Sequence, residues 1–266
     1  QSLFNLDHIA AHLGSLRQTA GNLHGKGSYN NGALALTLTT DALDLQKLDQ
    51  RIRATKLSGK LDVQHSEGKQ NISLALSEPL KQNKLLLNVH AIVADDAANI
   101  DQISLRAGAS AIDASAHIAL NGKQKFDAKG TIRKFNLRDL GNFPQLPTLN
   151  LNGDFSVQGS RHPALEADLA FRIHDSQLAG QPLSGEGQAQ LHADTLVLPK
   201  LLLNAGSNRI NAQGKLAEND ARITYSVDAP ALQQLGAGFA GALQVNGEVR
   251  GKVQQPRITA EWQGSK

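Results

Sequence analysis

The 266-residue sequence has no cysteine, no methionine and a single tryptophan, Trp262. Without cysteine there is no disulfide, no thiolate metal site and no cysteine nucleophile, and the redox compartment stays open. Aromatic residues make up only 4% of the chain against 40% hydrophobic residues overall, so the apolar surface is mainly smooth aliphatic side chains. No apolar run approaches the roughly 18 residues of a membrane-spanning helix. The opening QSLFNLDHIA lacks the basic and apolar segments of a secretory signal. A net charge of +3, from 27 basic and 24 acidic residues, does not by itself imply nucleic acid. With no initiator methionine and an end, EWQGSK, directly after a strand-like run, the sequence reads as a piece of a longer protein.

What is present is alternation. In ALALTLTT, Leu34, Leu36 and Leu38 fall on one face of an extended strand, with Ala33, Ala35, Thr37 and Thr39 on the other. In LNLNGDFSVQG, Leu149, Leu151, Phe155 and Val157 alternate with Asn150, Asn152, Asp154, Ser156 and Gln158. About a dozen such runs follow one another. Their one-sided polarity excludes a parallel sheet buried on both faces, and nothing between them is long enough for crossover helices. The expected fold is all-β, with few short helices.

One longer helix is expected at NLDHIAAHLGSLRQ, where Leu6, Ile9, Leu13 and Leu16 recur at spacings of three and four. The chain therefore divides into an N-terminal helix/strand segment, 1–30, and a β-repeat region, 31–266. Helical turns of the form L-x-x-L recur at Leu45/Leu48, Leu137/Leu140 and Leu232/Leu235, and each precedes a strand with a glycine: Gly59, Gly153 and Gly247. The glycine spacings are 153 − 59 = 94 and 247 − 153 = 94. LSGEGQAQ at Gly185 competes with LNGDFSV as the counterpart of the first copy.

Chemical motifs are weak. GAGFAG, residues 236–241, satisfies G-x-G-x-x-G, but it lacks the strand before and the helix after that a dinucleotide site needs, so it reads as a turn and no cofactor is expected. His8 and His12 in HIAAH are one helical turn apart, yet Ile9 stands where a zinc protease has glutamate; no metal site is expected. Asp95 and Asp96 form an acidic pair in a turn. Basic residues interleave with acids without stacking aromatics, which argues against nucleic acid. No catalytic residues are identified, and the chain is not expected to be an enzyme.

The succession LSGKLDV, SLRAGASAIDASAHIALNG, FNLRDLGNFPQLPTLNLNGDFSVQGSRHPALEADLAF, LVLPKLLLNAGSNRINAQGKLA and APALQQLGAGFAGALQVNGEVRGKVQQPRITAEW resembles the repeat region of the TamB family, which is similar to the wider AsmA-like family. The resemblance implies a long curled β-sheet, a β-taco open along one side with an apolar interior, crossing the periplasm of a Gram-negative bacterium. It implies work in outer-membrane biogenesis: passing phospholipid, assisting assembly of outer-membrane β-barrel proteins, or both. It also implies an inner-membrane anchor and a BamA-like outer-membrane partner, TamA, contacted through a segment not recognisable here.

The residues meet this expectation from their own side. A sheet with one aliphatic face must fold over on itself as a filled sandwich or curl around a ligand, and alternation alone does not separate the two. Under the open reading, phospholipid acyl chains would rest on Leu34, Leu36, Leu38, Leu85, Leu87, Val89, Ile112, Ile118 and Leu120 in the first half. In the second half the lining comprises Leu149, Leu151, Phe155, Val157, Leu165, Leu169, Phe171, Ile173, Ile210, Leu216, Ile223, Tyr225, Val227, Leu243, Val245, Val249, Ile258 and Trp262, while Asn152, Asp168, Arg222 and Arg250 face solvent.

Overall fold

A computed structural model of the chain describes residues 3–15, 18–79, 84–141, 143, 145–218 and 221–265. Seventeen strands dominate it. They are β1 (Leu3–Ser15), β2 (Gln18–Asn30), β3 (Ala33–Leu43), β4 (Leu57–Ser66), β5 (Lys69–Ser77), β6 (Leu85–Ala94), β7 (Ala97–Ala107), β8 (Ser110–Ala119), β9 (Lys125–Phe135), β10 (Leu149–Ser160), β11 (Glu166–Leu178), β12 (Gln181–His192), β13 (Thr195–Ala205), β14 (Asn208–Leu216), β15 (Arg222–Ala229), β16 (Ala242–Lys252) and β17 (Gln255–Ser265). The three L-x-x-L segments are single turns: 3-10 at Leu45–Lys47 and Leu232–Leu235, and α at Leu137–Leu140.

Two compact units are built from these elements, 1–121 with 137–144, and 122–136 with 145–266. In the first unit β1 to β8 pair in chain order as an antiparallel meander. In the second, β9 to β17 do the same. Six strands, β4 to β9, lie between the turns at 45–47 and 137–140, and six more, β10 to β15, between the turns at 137–140 and 232–235.

The helix expected from Leu6, Ile9, Leu13 and Leu16 is not formed: this stretch is strand β1, paired with β2, and Leu16 lies outside the described residues. A β-bulge explains the error. Leu6 pairs with Gly27 but Ile9 pairs with Gly25, so one extra residue sits at Asp7–His8 and places two apolar residues three apart on the same face of a strand. That spacing imitates a helical period. It also leaves His8 and His12 on a strand, without the helical geometry a zinc pair requires.

Comparable bulges occur in β3 at Asp41–Ala42, β7 at Asp101–Gln102, β9 at Arg133–Lys134, β11 at His174–Asp175 and β13 at Pro199–Lys200. Each bends its strand and increases its twist, so the meanders curl. Asn152 of β10 holds two of them at once. Its Oδ1 accepts from the Lys134 amide at 2.8 Å and its Nδ2 donates to the Asp175 carbonyl at 2.6 Å. Lys134 and Asp175 both adopt left-handed φ angles, 48° and 47°.

Few side chains are deeply buried; Leu57 and Glu78 are the largest below 2% exposure. The accessible surface is 16689 Å². A compact globule of this mass exposes about 11,000 Å², and two separate globules of half the mass about 13,500 Å² together. The units are therefore not filled sandwiches. What core exists in the first unit lies along one set of strand ends, where Ala20, Leu43, Leu57, Leu85 and Ala107 cluster and Leu45 and Leu140 of the helical turns pack on them.

The rim is fastened by a buried ion pair. Arg53 Nη1 and Nη2 donate to Glu78 Oε1 and Oε2 at 3.1 and 2.6 Å, and Glu78 also accepts from the Leu85 amide at 3.0 Å. Arg53 Nε reaches the Asp139 carbonyl at 2.9 Å, tying the turn at 137–140 to the same rim. In the second unit Asn208 plays the fastening role: its Nδ2 donates to Ala231 O at 3.0 Å and its Oδ1 accepts from the Ala231 amide at 3.1 Å, docking the turn at 232–235.

Candidate functional site: an uncovered apolar face

Residues directly opposed in an antiparallel pair share a face, so the registers trace which side chains stand together. In the first unit, Leu36 pairs with Val63, which pairs with Ile72; Leu38 pairs with Leu61, which pairs with Leu74, then Val89, then Ile103. Leu87 pairs with Leu105 and Leu105 with Ile112, while Ile118 pairs with Ala98. In the second, one file runs Gly130, Phe155, Phe171, Gly187, Leu201, Ala212, Tyr225, Gly247 and Ala260 across nine strands. Neighbouring files on the same face carry Val157 with Leu169, Ile210 with Val227 and Val245, and Ile223 with Val249 and Ile258.

The registers place every residue expected to line the groove on the apolar face of its own unit, except Leu120 and Leu165. Those two lie outside the strands and are well exposed. Asn152, Asp168, Arg222 and Arg250 fall on the opposite, polar face as expected. Residues that the alternation did not single out join the apolar face as well. Ile132 and Phe135 flank the β9 bulge, Leu198 and Leu201 flank the β13 bulge, and Phe4 and Leu6 precede the β1 bulge. The extra residue in each strand breaks the period of two that would have revealed them.

Small residues alternate with large ones on this face for a steric reason. The Phe171 ring lies over Gly187, Tyr225 over Gly247 and Phe126 over Gly159; a Cβ at those glycines would stand 2.7 Å from Phe171 Cζ, 2.5 Å from Tyr225 Cζ and 2.8 Å from Phe126 Cζ. Leu38 lies likewise over Gly25, with its Cδ2 2.5 Å from such a Cβ. Large side chains thus lie along the sheet on neighbouring glycines instead of standing up from it. The three glycines spaced by 94 residues share a tighter constraint, because a Cβ at Gly59, Gly153 or Gly247 would run into the carbonyl of Ala75, Arg172 or Thr259 on the following strand.

The polar face is knitted by charge and hydrogen bonds. Thr37 Oγ1 donates to Asp62 at 2.8 Å and Lys60 Nζ lies 2.7 Å from the same carboxylate, which these contacts hold below the usual range. Lys200 pairs with Glu186 and lowers it similarly. The depression of about 670 Å³ over β13 to β16 is bordered by Lys200, Asn211, Gln213, Thr224 and Ser226 together with Leu201, Leu202, Ala212 and Tyr225, a mixed lining without a convergent catalytic set. Among the described residues no three histidine, aspartate or glutamate side chains group as a metal site, and no helix is long and apolar enough to cross a membrane. GAGFAG is the turn between 232–235 and β16, not a strand-to-helix phosphate loop.

Residues 81–266 match the family model described as TamB, N-terminal domain. The chain belongs to the TamB family. No curated protein and no solved structure matches the chain. TamB membership associates it with the translocation and assembly module, a transport and assembly system rather than a group of enzymes. An aliphatic face of this extent, with no layer packed on it among the described residues, is the feature that needs a function.

Proposed function

We propose that the apolar face is a non-enzymatic, acyl-chain-bearing groove that passes phospholipid between the inner and outer membranes in outer-membrane biogenesis. The carrying observation is the unbroken apolar file from Phe155 to Tyr225, laid on glycines and left without a covering layer. Magnitudes favour a lipid as the client. A buried methylene contributes about 0.8 kcal/mol, so carrying two acyl chains through water would expose on the order of 20 kcal/mol of apolar surface. A continuous aliphatic face removes most of that barrier. In this reading the chain works in the periplasm as part of an inner-membrane-anchored protein, with a BamA-like partner of the TamA type at the outer membrane.

Organic extraction of the purified chain, followed by mass spectrometry, tests the proposal. Phospholipid should co-purify, and Leu151→Asp or Leu169→Asp should reduce it sharply. No phospholipid in the extract, and no uptake of a fluorescent lipid, would overturn it.

A second reading has its own observation. The edge of β17 not facing β16 has no registered partner among the described residues, and Ile258 and Trp262 beside it are 68% and 72% exposed. Such an edge can template an incoming strand of an outer-membrane β-barrel protein. Crosslinkers along this edge would capture unfolded barrel protein in that case, whereas crosslinkers at Phe171 would capture acyl chains in the first.

A further inference from the structure

One file on the apolar face of the first unit carries two polar side chains in its middle. It runs Leu34, His65, Gln70, Val93, Ala98 and Ile118 across β3 to β8, each residue directly opposed to the next. His65 and Gln70 thus project from neighbouring strands with Cβ atoms about 5 Å apart, flanked on both sides by apolar residues. Ser110 and Tyr225, polar side chains elsewhere on the apolar faces, are engaged within the fold: Ser110 Oγ donates to Asp139 at 2.6 Å and Tyr225 Oη to the Thr259 carbonyl at 3.3 Å. His65 and Gln70 make no side-chain hydrogen bond among the described residues, and His65 Nδ1 is shielded from solvent without a partner. Thr40 Oγ1 on the same face is also shielded and unpartnered, but the residue opposite it is Gly59, so it offers no pair of donors. Open polar groups among aliphatic side chains cost free energy unless something answers them.

The two ends of this face differ. Beyond His65 and Gln70 only the Ser66–Lys69 pair precedes the exposed turn at Glu67 and Gly68. In the other direction β4 presents Val63, Leu61, Gly59 and Leu57, and Leu57 joins the buried cluster at the rim. The eight residues from His65 to Leu57 span about 26 Å of strand, against about 15 Å for the hydrocarbon of one bilayer leaflet. An acyl chain laid along the strands fits between the polar pair and the rim.

We propose that His65 and Gln70 hydrogen-bond the ester carbonyls of a diacyl phospholipid, with its chains lying from Val63 towards Leu57 and its headgroup beyond the turn in water. This rests on the lipid-carrying reading above. No charged side chain shares this face of β3 to β6, so a phosphate finds no counter-charge there, whereas an ester carbonyl needs only a donor. The Gln70 amide supplies one. The His65 ring, with its proton on Nε2, supplies another. The two esters of a diacyl lipid branch from neighbouring carbons of one glycerol, and two donors on a directly opposed pair stand close enough to meet both.

The test offers the full chain vesicles of equal parts diester and diether phosphatidylglycerol with identical chain lengths, the ester carbonyls carrying carbon-13. Mass spectrometry of the recovered complex reads the ratio of the two lipids, and infrared spectra read hydrogen bonding at the labelled carbonyls. The unaltered chain should take up the diester roughly fivefold better than the diether. Its ester band should lie below the position seen in dry hydrocarbon solvent. His65→Leu combined with Gln70→Leu should bring the ratio near one and raise the band, and Gln64→Leu, on the polar face beside His65, should do neither. Equal uptake of diester and diether by the unaltered chain, with an ester band that the double substitution leaves in place, would overturn the ester anchor and leave the groove standing. Uptake of neither lipid would overturn the groove and the anchor with it.

Discussion

The ring of Phe171 rests on Gly187 of the next strand, so closely that a methyl group at position 187 would stand 2.7 Å from Cζ. Gly187→Ala must therefore lift the ring away from the sheet. Overpacking of this kind costs about 1–3 kcal/mol. Urea denaturation of Gly187→Ala, Phe171→Ala and the double variant should show strong coupling, with Phe171→Ala absorbing most of the alanine's effect. Additive losses would mean that the two residues do not touch.

Asn152 lies on the polar face but is not an inert surface residue, because it spans the bulges at Lys134 and Asp175. Asn152→Asp removes the donor to the Asp175 carbonyl and should cost about 1–3 kcal/mol. The Lys134 amide should then exchange faster with deuterium. Asn246→Ser, 94 residues on, sits between strands whose registers carry no bulge, and should change stability by less than about 0.5 kcal/mol. Equal effects at the two positions would refute the clamp.

Glu78 is 1% exposed and its charge is answered by Arg53. Arg53→Met takes the guanidinium and its two hydrogen bonds from that buried carboxylate and should cost about 3–5 kcal/mol. Arg53→Met with Glu78→Leu should recover part of the loss, as seen by thermal unfolding. A single variant as stable as the parent would show that the rim does not depend on the pair.

Acid should weaken the sheet in a defined window. Asp49 is lowered to about 2 by its bond from Arg51, and Asp62, Glu186 and Glu248 are lowered by Lys60, Lys200 and Arg250. Depressed carboxylates stabilise the fold above their unfolded values near pH 4, and that contribution disappears as pH falls through the folded values towards 2. The groups are exposed, so the effect is modest and salt-sensitive. The melting temperature should be flat from pH 5 to 8 and fall below 4, more steeply at low ionic strength; a decline already between 7 and 5 would point to other groups.

Strand identity and face were legible wherever the period of two was uninterrupted, as in Leu34 to Leu38 and Ile223 to Val227. They were illegible at bulges. The extra residue at Asp7–His8 turned a strand into an apparent helix, and those at Lys134 and Pro199 hid Phe135 and Leu201 from the lining. The helical turns at 45–47, 137–140 and 232–235 were visible as L-x-x-L, but their docking, each within its own unit, depends on Arg53, Glu78 and Asn208, whose partners are distant in sequence.

Trp262, the single tryptophan, lies on the apolar face of β17 opposite Val245, and this makes the central claim directly measurable. The full chain is loaded with a phospholipid brominated along its acyl chains, and tryptophan fluorescence is read. An occupied groove predicts strong quenching of Trp262, and of Phe171→Trp in a Trp262→Phe background, but little quenching of Leu202→Trp, which faces Glu186 and Asn211 on the polar side. Quenching that is equal at Phe171→Trp and Leu202→Trp, or absent from both, would contradict the account.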